Sequence, residues 1–236
     1  MITARGGYAR PVQSTPRLVL ASASPARRAT LVAAGVEPLV RVSGVDEDAV
    51  VAAYGVTDPQ DVALVLAKAK AEDVAATDDG TDDGATDDGA TDDGEAAFVL
   101  GCDSVLELAG EVHGKPADAE QAISRWKRMR GGSGVLHTGH WLIDVRDPAD
   151  GGTGGTLGAV ASTTVHFADL DDDEIAAYVA TGEPLAVAGA FTLDGLGGAF
   201  VTGIEGDHHN VVGVSLPLLR GLLQEVGMPW HRLWHP

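Results

Sequence analysis

The chain predicts an α/β protein with one mixed β-sheet flanked by helices, and three observations carry that expectation. Strand-like and helix-like segments alternate along it. Of its 236 residues, 44% are hydrophobic and 22% charged, which are globular values. Aromatics make up only 5%, so the core must be built from interdigitated Ala, Val and Leu side chains.

The elements follow in order. RLVLA at 17–21 reads as a buried strand. Ser24 and Pro25 then supply an N-cap and a first helical residue, and Gly35 stands where that helix should stop. FVLGC at 98–102 is a second, short apolar strand. Beyond Pro116 a helix carries Ile123, Trp126 and Met129 on one face and ends at Gly131-Gly132. TGHWLIDV at 138–145 and the alternating VASTTVHF at 160–167 are strands. Asp171 and Glu174 have capping-box spacing for the helix that follows, closed by Gly182 and Pro184, and a last helix covers 216–226.

This division gives a flexible extension at 1–16, a domain at 17–227 and a tail at 228–236. Within the domain, TDDGTDDGATDDGATDDG at 77–94 has no apolar side chain longer than Ala. A segment that buries nothing cannot offset the entropy of being ordered, so it reads as a flexible surface insertion. A calcium-binding repeat is the alternative, although the spacing is not that of an EF-hand loop.

The formal net charge is −19, from 16 basic and 35 acidic residues. The insertion holds eight Asp, so the rest of the chain sets 16 basic against 27 acidic residues, still a net −11. That balance disfavours nucleic acid and anionic membranes as partners. One cysteine, Cys102, cannot form an internal disulfide, and no apolar run approaches the roughly 20 residues of a membrane helix. A soluble, cytoplasmic protein is expected.

Several segments could carry chemistry. In SASPARR at 22–28, a strand feeds a Ser-rich turn and a helix N-terminus, so free N–H groups, hydroxyls and Arg27 or Arg28 could hold phosphate; a plain capped helix with solvated arginines is the alternative. Asp103 in GCDSV follows an apolar strand, where a carboxylate can activate water or hold a metal, or merely satisfy turn amides. Cys102 is expected to be core. GEVHGKP at 110–116 is not a P-loop, because three residues separate its glycines and Pro116 follows Lys115; Lys115 remains a point charge for phosphate. RWKRMR at 125–130 is read as a helix with a core stripe and a solvated basic face, and His208-His209 as loop histidines without a third metal ligand.

In order, LASASPARR, SGVDED, LAKAKA, GCDSV, GKP, STTVHF, GEPLAVAGAFTLDGLGGAFV and NVVGVSLPL resemble the Maf family of nucleoside triphosphate pyrophosphatases over about residues 17–226. The resemblance implies an elongated mixed-sheet α/β fold like that of inosine triphosphatases, usually dimeric. It further implies hydrolysis between the α and β phosphates with Mg²⁺ or Mn²⁺, removal of unwanted nucleotides, and a link to cell-division arrest. By the same resemblance Asp103 and Glu47 are the catalytic and metal-holding carboxylates, and Ser24, Arg27, Lys70 and Lys115 bind substrate. Arg27, Ser104 and Asp194 fall at specificity positions. The thymidine/uridine triphosphate group has Thr and Gln where this chain has Ser104 and Asp194, and Asp is an acceptor only. The base preference is therefore expected to differ. Two other readings are a nucleotide sensor without turnover and an acidic calcium-binding protein.

Overall fold

The computed structural model describes residues 15–77 and 96–235. The expected extension lies almost wholly outside these residues, and the TDDG insertion lies outside them except for Thr77.

β1 (Arg17–Ala21) leads into α1 (Pro25–Ala33), and β2 (Leu39–Arg41) precedes α2 (Glu47–Tyr54) and α3 (Pro59–Thr77). β3 (Ala96–Leu108) and β4 (Glu111–His113) form a hairpin before α4 (Ala119–Met129). Then come β5 (Ser133–Asp144), β6 (Thr156–Phe167), α5 (Asp172–Ala180), a series of 3-10 turns, β7 (Val201–Glu205), α6 (His208–Val212) and α7 (Leu216–Glu225). The seven strands make one mixed sheet in the order β2-β1-β3-β5-β6-β7, with β4 also on β3. β2, β1 and β3 run parallel, while β3, β5, β6 and β7 are successively antiparallel.

Local chemistry accounts for the boundaries. Ser24 accepts the Arg27 N–H and caps α1, with Pro25 in the first turn. Asp171 and Glu174 form the expected capping box on α5. β3 differs most from the sequence reading: it runs for 13 residues instead of five, because β5 pairs with it from Phe98 to Glu107. Asp103 therefore sits in mid-strand rather than after a strand end. The stretch read as a tail packs inward: Met228 and Leu233 join the core cluster of Leu18, Leu31 and Leu219, and the Trp234 ring lies against Gly35.

The sheet buries its two faces differently. On one face α1 and α7 cover one end of β3 and β5 through Leu31, Leu100, Leu142 and Leu219. α4 and α5 cover the other end through Trp126, Phe167, Ile175 and Tyr178, with Trp126 packed edge-on against three aromatic rings. On the opposite face lies α3. A Cβ at Gly101 would stand 2.1 Å from the Ala67 carbonyl oxygen, and one at Gly139 would stand 2.2 Å from that of Ala63. Only glycine on β3 and β5 lets this helix rest its backbone on the strands.

His140 ties the first face together. It is fully buried, its Nε2 accepts the N–H of Ser215, the N-cap of α7, at 2.8 Å, and its Nδ1–H donates to the Thr138 carbonyl at 3.0 Å. The bond at Nε2, where the ring nitrogen accepts, needs the neutral ring. Burial, the largest influence, lowers its pKa from 6.5 to about 4. A histidine depressed in the folded state contributes stability that is present above about pH 6.5 and lost as pH falls toward 4. The loss from this residue should reach on the order of 3 kcal/mol. His140→Gln should flatten the dependence of denaturation free energy on pH across that window.

Candidate active site

β1 ends at Ala21, opposite Gly101, and β4 first pairs with β3 at Leu106. Between them, residues Cys102 to Val105 have no strand partner on that edge among the described residues. A cleft of about 610 Å³ opens at this gap, within the range of small-ligand sites. Because side chains alternate along a strand, the gap shows the cleft both faces of β3: Asp103 on the α3 side and Ser104 on the other.

Asp103 is 8% exposed. Lys70 reaches it from α3, Nζ standing 2.5 Å from Asp103 Oδ1 and 2.6 Å from Glu47 Oε1. Glu47 comes from the first turn of α2, is half-exposed and faces the cleft. Burial pushes the Asp103 pKa above the usual carboxylate range although Lys70 and Arg27 oppose it. Burial alone would lower Lys70, but Asp103 and Glu47 together hold it above its ordinary value. The lysine is thus a fixed cation between two acids.

Arg27 does something other than the bidentate phosphate clamp that SASPARR suggests. Its Nε donates to the Gly213 carbonyl at 2.8 Å, one terminal nitrogen to the Cys102 carbonyl at 2.8 Å and Ser22 Oγ at 3.1 Å, and the other to Ser104 Oγ at 3.1 Å. Four of the five N–H groups of a guanidinium are thereby held by the protein. Arg27 braces the turn, the open edge of β3 and the end of α6, and it leaves one donor for a ligand. Ser104 also bonds Thr138 at 2.9 Å, so its hydroxyl is fixed from two sides. Ser24 is a helix cap on the cleft wall, and Arg28 points away to an ion pair with Glu37.

Lys115 lies exposed on the turn after β4 and lines the cleft. Its neighbour Gly114 is held by Arg125, whose buried guanidinium donates to the Gly114 carbonyl at 2.6 Å. The basic face of α4 is not free: Lys127 and Arg130 pair with Asp172, and Arg128 with Glu111. Cys102 is fully buried, and burial pushes its thiol up to about 12, which removes it as a nucleophile at neutral pH.

The far wall of the cleft contains Val187, Phe191, Thr192 and Asp194. Asp194 is exposed, on a loop built around Glu183. Nothing in GEPLA marks Glu183 as the anchor of this loop, since its partners lie up to 14 residues away. Arg125 was missed for a related reason: its partner lies 11 residues back, outside its own helix.

Asp103 and Glu47 suit Mg²⁺ or Mn²⁺ by donor chemistry, being hard carboxylate oxygens that border a cleft able to admit further oxygen ligands. The histidine pair is not in a loop. His208 and His209 begin α6, and Asp207 brings a third donor atom within 4.8 Å of theirs, which the sequence reading did not foresee. Asp207 Oδ1 already serves as the helix cap, accepting the His209 N–H, so the group has a structural role in place.

Fold and cleft define an α/β enzyme whose acid–lysine centre stands at a break in strand pairing. A family model described as "Maf-like protein" matches residues 17–226, and the chain belongs to the Maf family. It is 56% identical to a protein of Salinispora tropica named nucleoside triphosphate pyrophosphatase, over 92% of this chain and 87% of that one. Proteins of the same name from Streptomyces coelicolor and Nostoc punctiforme are 52% and 45% identical, over 95% and 93% of this chain and 97% and 98% of theirs. No helix among the described residues is long and apolar enough to cross a membrane.

Removing the cation tests the electrostatics directly. In Lys70→Met, Asp103 keeps its burial and loses its main counter-charge, so its carboxyl pKa should rise further, read by carboxyl-selective NMR titration of wild type and variant.

Proposed function

We propose that the chain hydrolyses nucleoside triphosphates to the monophosphate and pyrophosphate, and that Asp103 is the base. The observation that carries this reading is a buried carboxylate of raised pKa held against Lys70 at the floor of an open cleft, in a chain so similar to proteins named for that activity. A base of raised proton affinity accepts a proton nearer to neutral pH than an ordinary aspartate would.

Water bound at Asp103 attacks the α-phosphorus. Its proton passes to the carboxylate, the bond between the α-phosphorus and the bridging oxygen breaks, and pyrophosphate leaves with the electron pair. Lys115, the remaining Arg27 N–H and the α1 turn at Ser24 hold phosphate oxygens. Lys70 keeps Asp103 and Glu47 side by side without mutual repulsion. Glu47 and Asp103 would hold a divalent cation, which would supply neutralisation of the charge on the departing pyrophosphate. Ser104 and Asp194 bear on the nucleobase. An acceptor-only Asp194 favours a base edge that offers N–H donors over one that offers carbonyls.

Pyrophosphate release from a panel of nucleoside triphosphates with Mg²⁺ or Mn²⁺ tests the activity. Asp103→Asn should lower kcat/KM by about 10²- to 10⁴-fold. Wild-type protein that binds nucleotide but releases nothing would leave the sensor reading standing. Asp194→Gln should shift the panel toward thymidine or uridine triphosphate, and an unchanged profile would remove Asp194 from base selection.

A further inference from the structure

The wall carrying Asp194 is folded around a single carboxylate. Glu183 Oε1 accepts the Tyr178 hydroxyl at 2.9 Å, the Thr192 hydroxyl at 2.5 Å and the Gly197 N–H at 3.0 Å, while Oε2 accepts the Leu196 N–H at 3.0 Å. The Tyr178 hydroxyl in turn accepts the Thr192 N–H at 3.2 Å. Glycines permit the wrap: a Cβ at Gly195 would stand 2.6 Å from Glu183 Oε2, and one at Gly197 would stand 2.3 Å from the Tyr178 hydroxyl. Donors on both sides of Asp194 are thus fastened to Glu183, and Asp194 is left facing the cleft.

The wall's composition indicates which part of a ligand it meets. Val187 and Phe191 are apolar and Asp194 is anionic, so these side chains bring phosphate no cation, whereas Arg27 and Lys70 enter the cleft from α1 and α3. The uncharged base end of a nucleotide is what such a wall can accept.

We propose that Glu183 is a positioning residue for base recognition, fixing the 192–197 loop so that Asp194 and Thr192 meet the nucleobase in one geometry. This rests on the nucleotide pyrophosphatase reading of the site. Glu183 stands behind the cleft lining and bonds neither Asp103 nor Lys70, so its effect falls on KM and base choice more than on the chemical step. Glu183→Gln replaces one acceptor oxygen with an amide that confronts the Leu196 or Gly197 N–H, and it loosens the loop without emptying its volume.

The experiment is steady-state kinetics over the nucleoside triphosphate panel for wild type, Glu183→Gln and Tyr178→Phe, with thermal unfolding of each. In Glu183→Gln, KM for the preferred base should rise about tenfold while kcat holds within about threefold, and the preferred-to-disfavoured ratio of kcat/KM should fall about tenfold. Tyr178→Phe, which removes one of the four bonds at a residue outside the cleft lining, should move the same ratio in the same direction by less, and it carries the test alone where Glu183→Gln does not fold. Folded variants that keep the wild-type ratio, or lose kcat equally on every base, overturn the positioning role and leave the activity intact. Wild-type protein that releases no pyrophosphate from any member of the panel overturns the underlying reading and this one with it.

Discussion

The approach of α3 to the sheet is the constraint on which the site depends. Ala63 and Ala67 lie one helical turn apart and rest their carbonyls on Gly139 and Gly101, on neighbouring strands. With side chains at those glycines the helix would have to move off the strands. Lys70, on the next turn, would then no longer meet Asp103. The missing Cβ atoms set the height of the helix, the height sets the ion pair, and the ion pair makes a buried carboxylate tolerable in a fold that would otherwise be expected to neutralise it.

Three elements share the work at the centre, and each has a distinct physical reason. The pairing gap on β3 exposes consecutive residues that alternate between faces, so one short stretch supplies both Asp103 and Ser104. Arg27 fills the gap from the α1 side and fixes the Ser104 hydroxyl. Glu183 organises the opposite wall from a separate aromatic cluster that contains Tyr178. A ligand lying in the cleft therefore meets a rigid acidic floor and a wall whose shape is set elsewhere in the chain.

Much of this was legible in the sequence where the information is local. The start of α1 follows from Ser24 and Pro25, the start of α5 from Asp171 and Glu174, and the buried face of α4 from Trp126 and Met129. Ser24, Arg27, Glu47, Lys70, Asp103, Ser104, Lys115 and Asp194 all line the cleft. The misreadings are non-local. β3 was cut short because its polar residues, Asp103 and Ser104, interrupt an apolar run that only pairing with β5 continues. The bracing bonds of Arg27 were not legible because its acceptors, Gly213 at the end of α6 and Cys102 and Ser104 on β3, are brought to it by two distant elements. Glu183 and Arg125 were invisible because each acts on backbone groups that folding alone brings near. Met228 and Leu233 were read as a tail because a short C-terminal stretch offers no periodicity to measure.

The open edge of β3 also bears on solubility. An unpaired stretch of backbone in mid-sheet is a template on which a strand from another chain could dock and begin aggregation. Here the Cys102 carbonyl is already taken by Arg27, a guanidinium stands across the opening, and a carboxylate and an ammonium flank it on the α3 side. An incoming strand would have to strip those charges of their partners before it could form a ladder. The groups that prepare the cleft for a small anionic molecule thus close it to polypeptide.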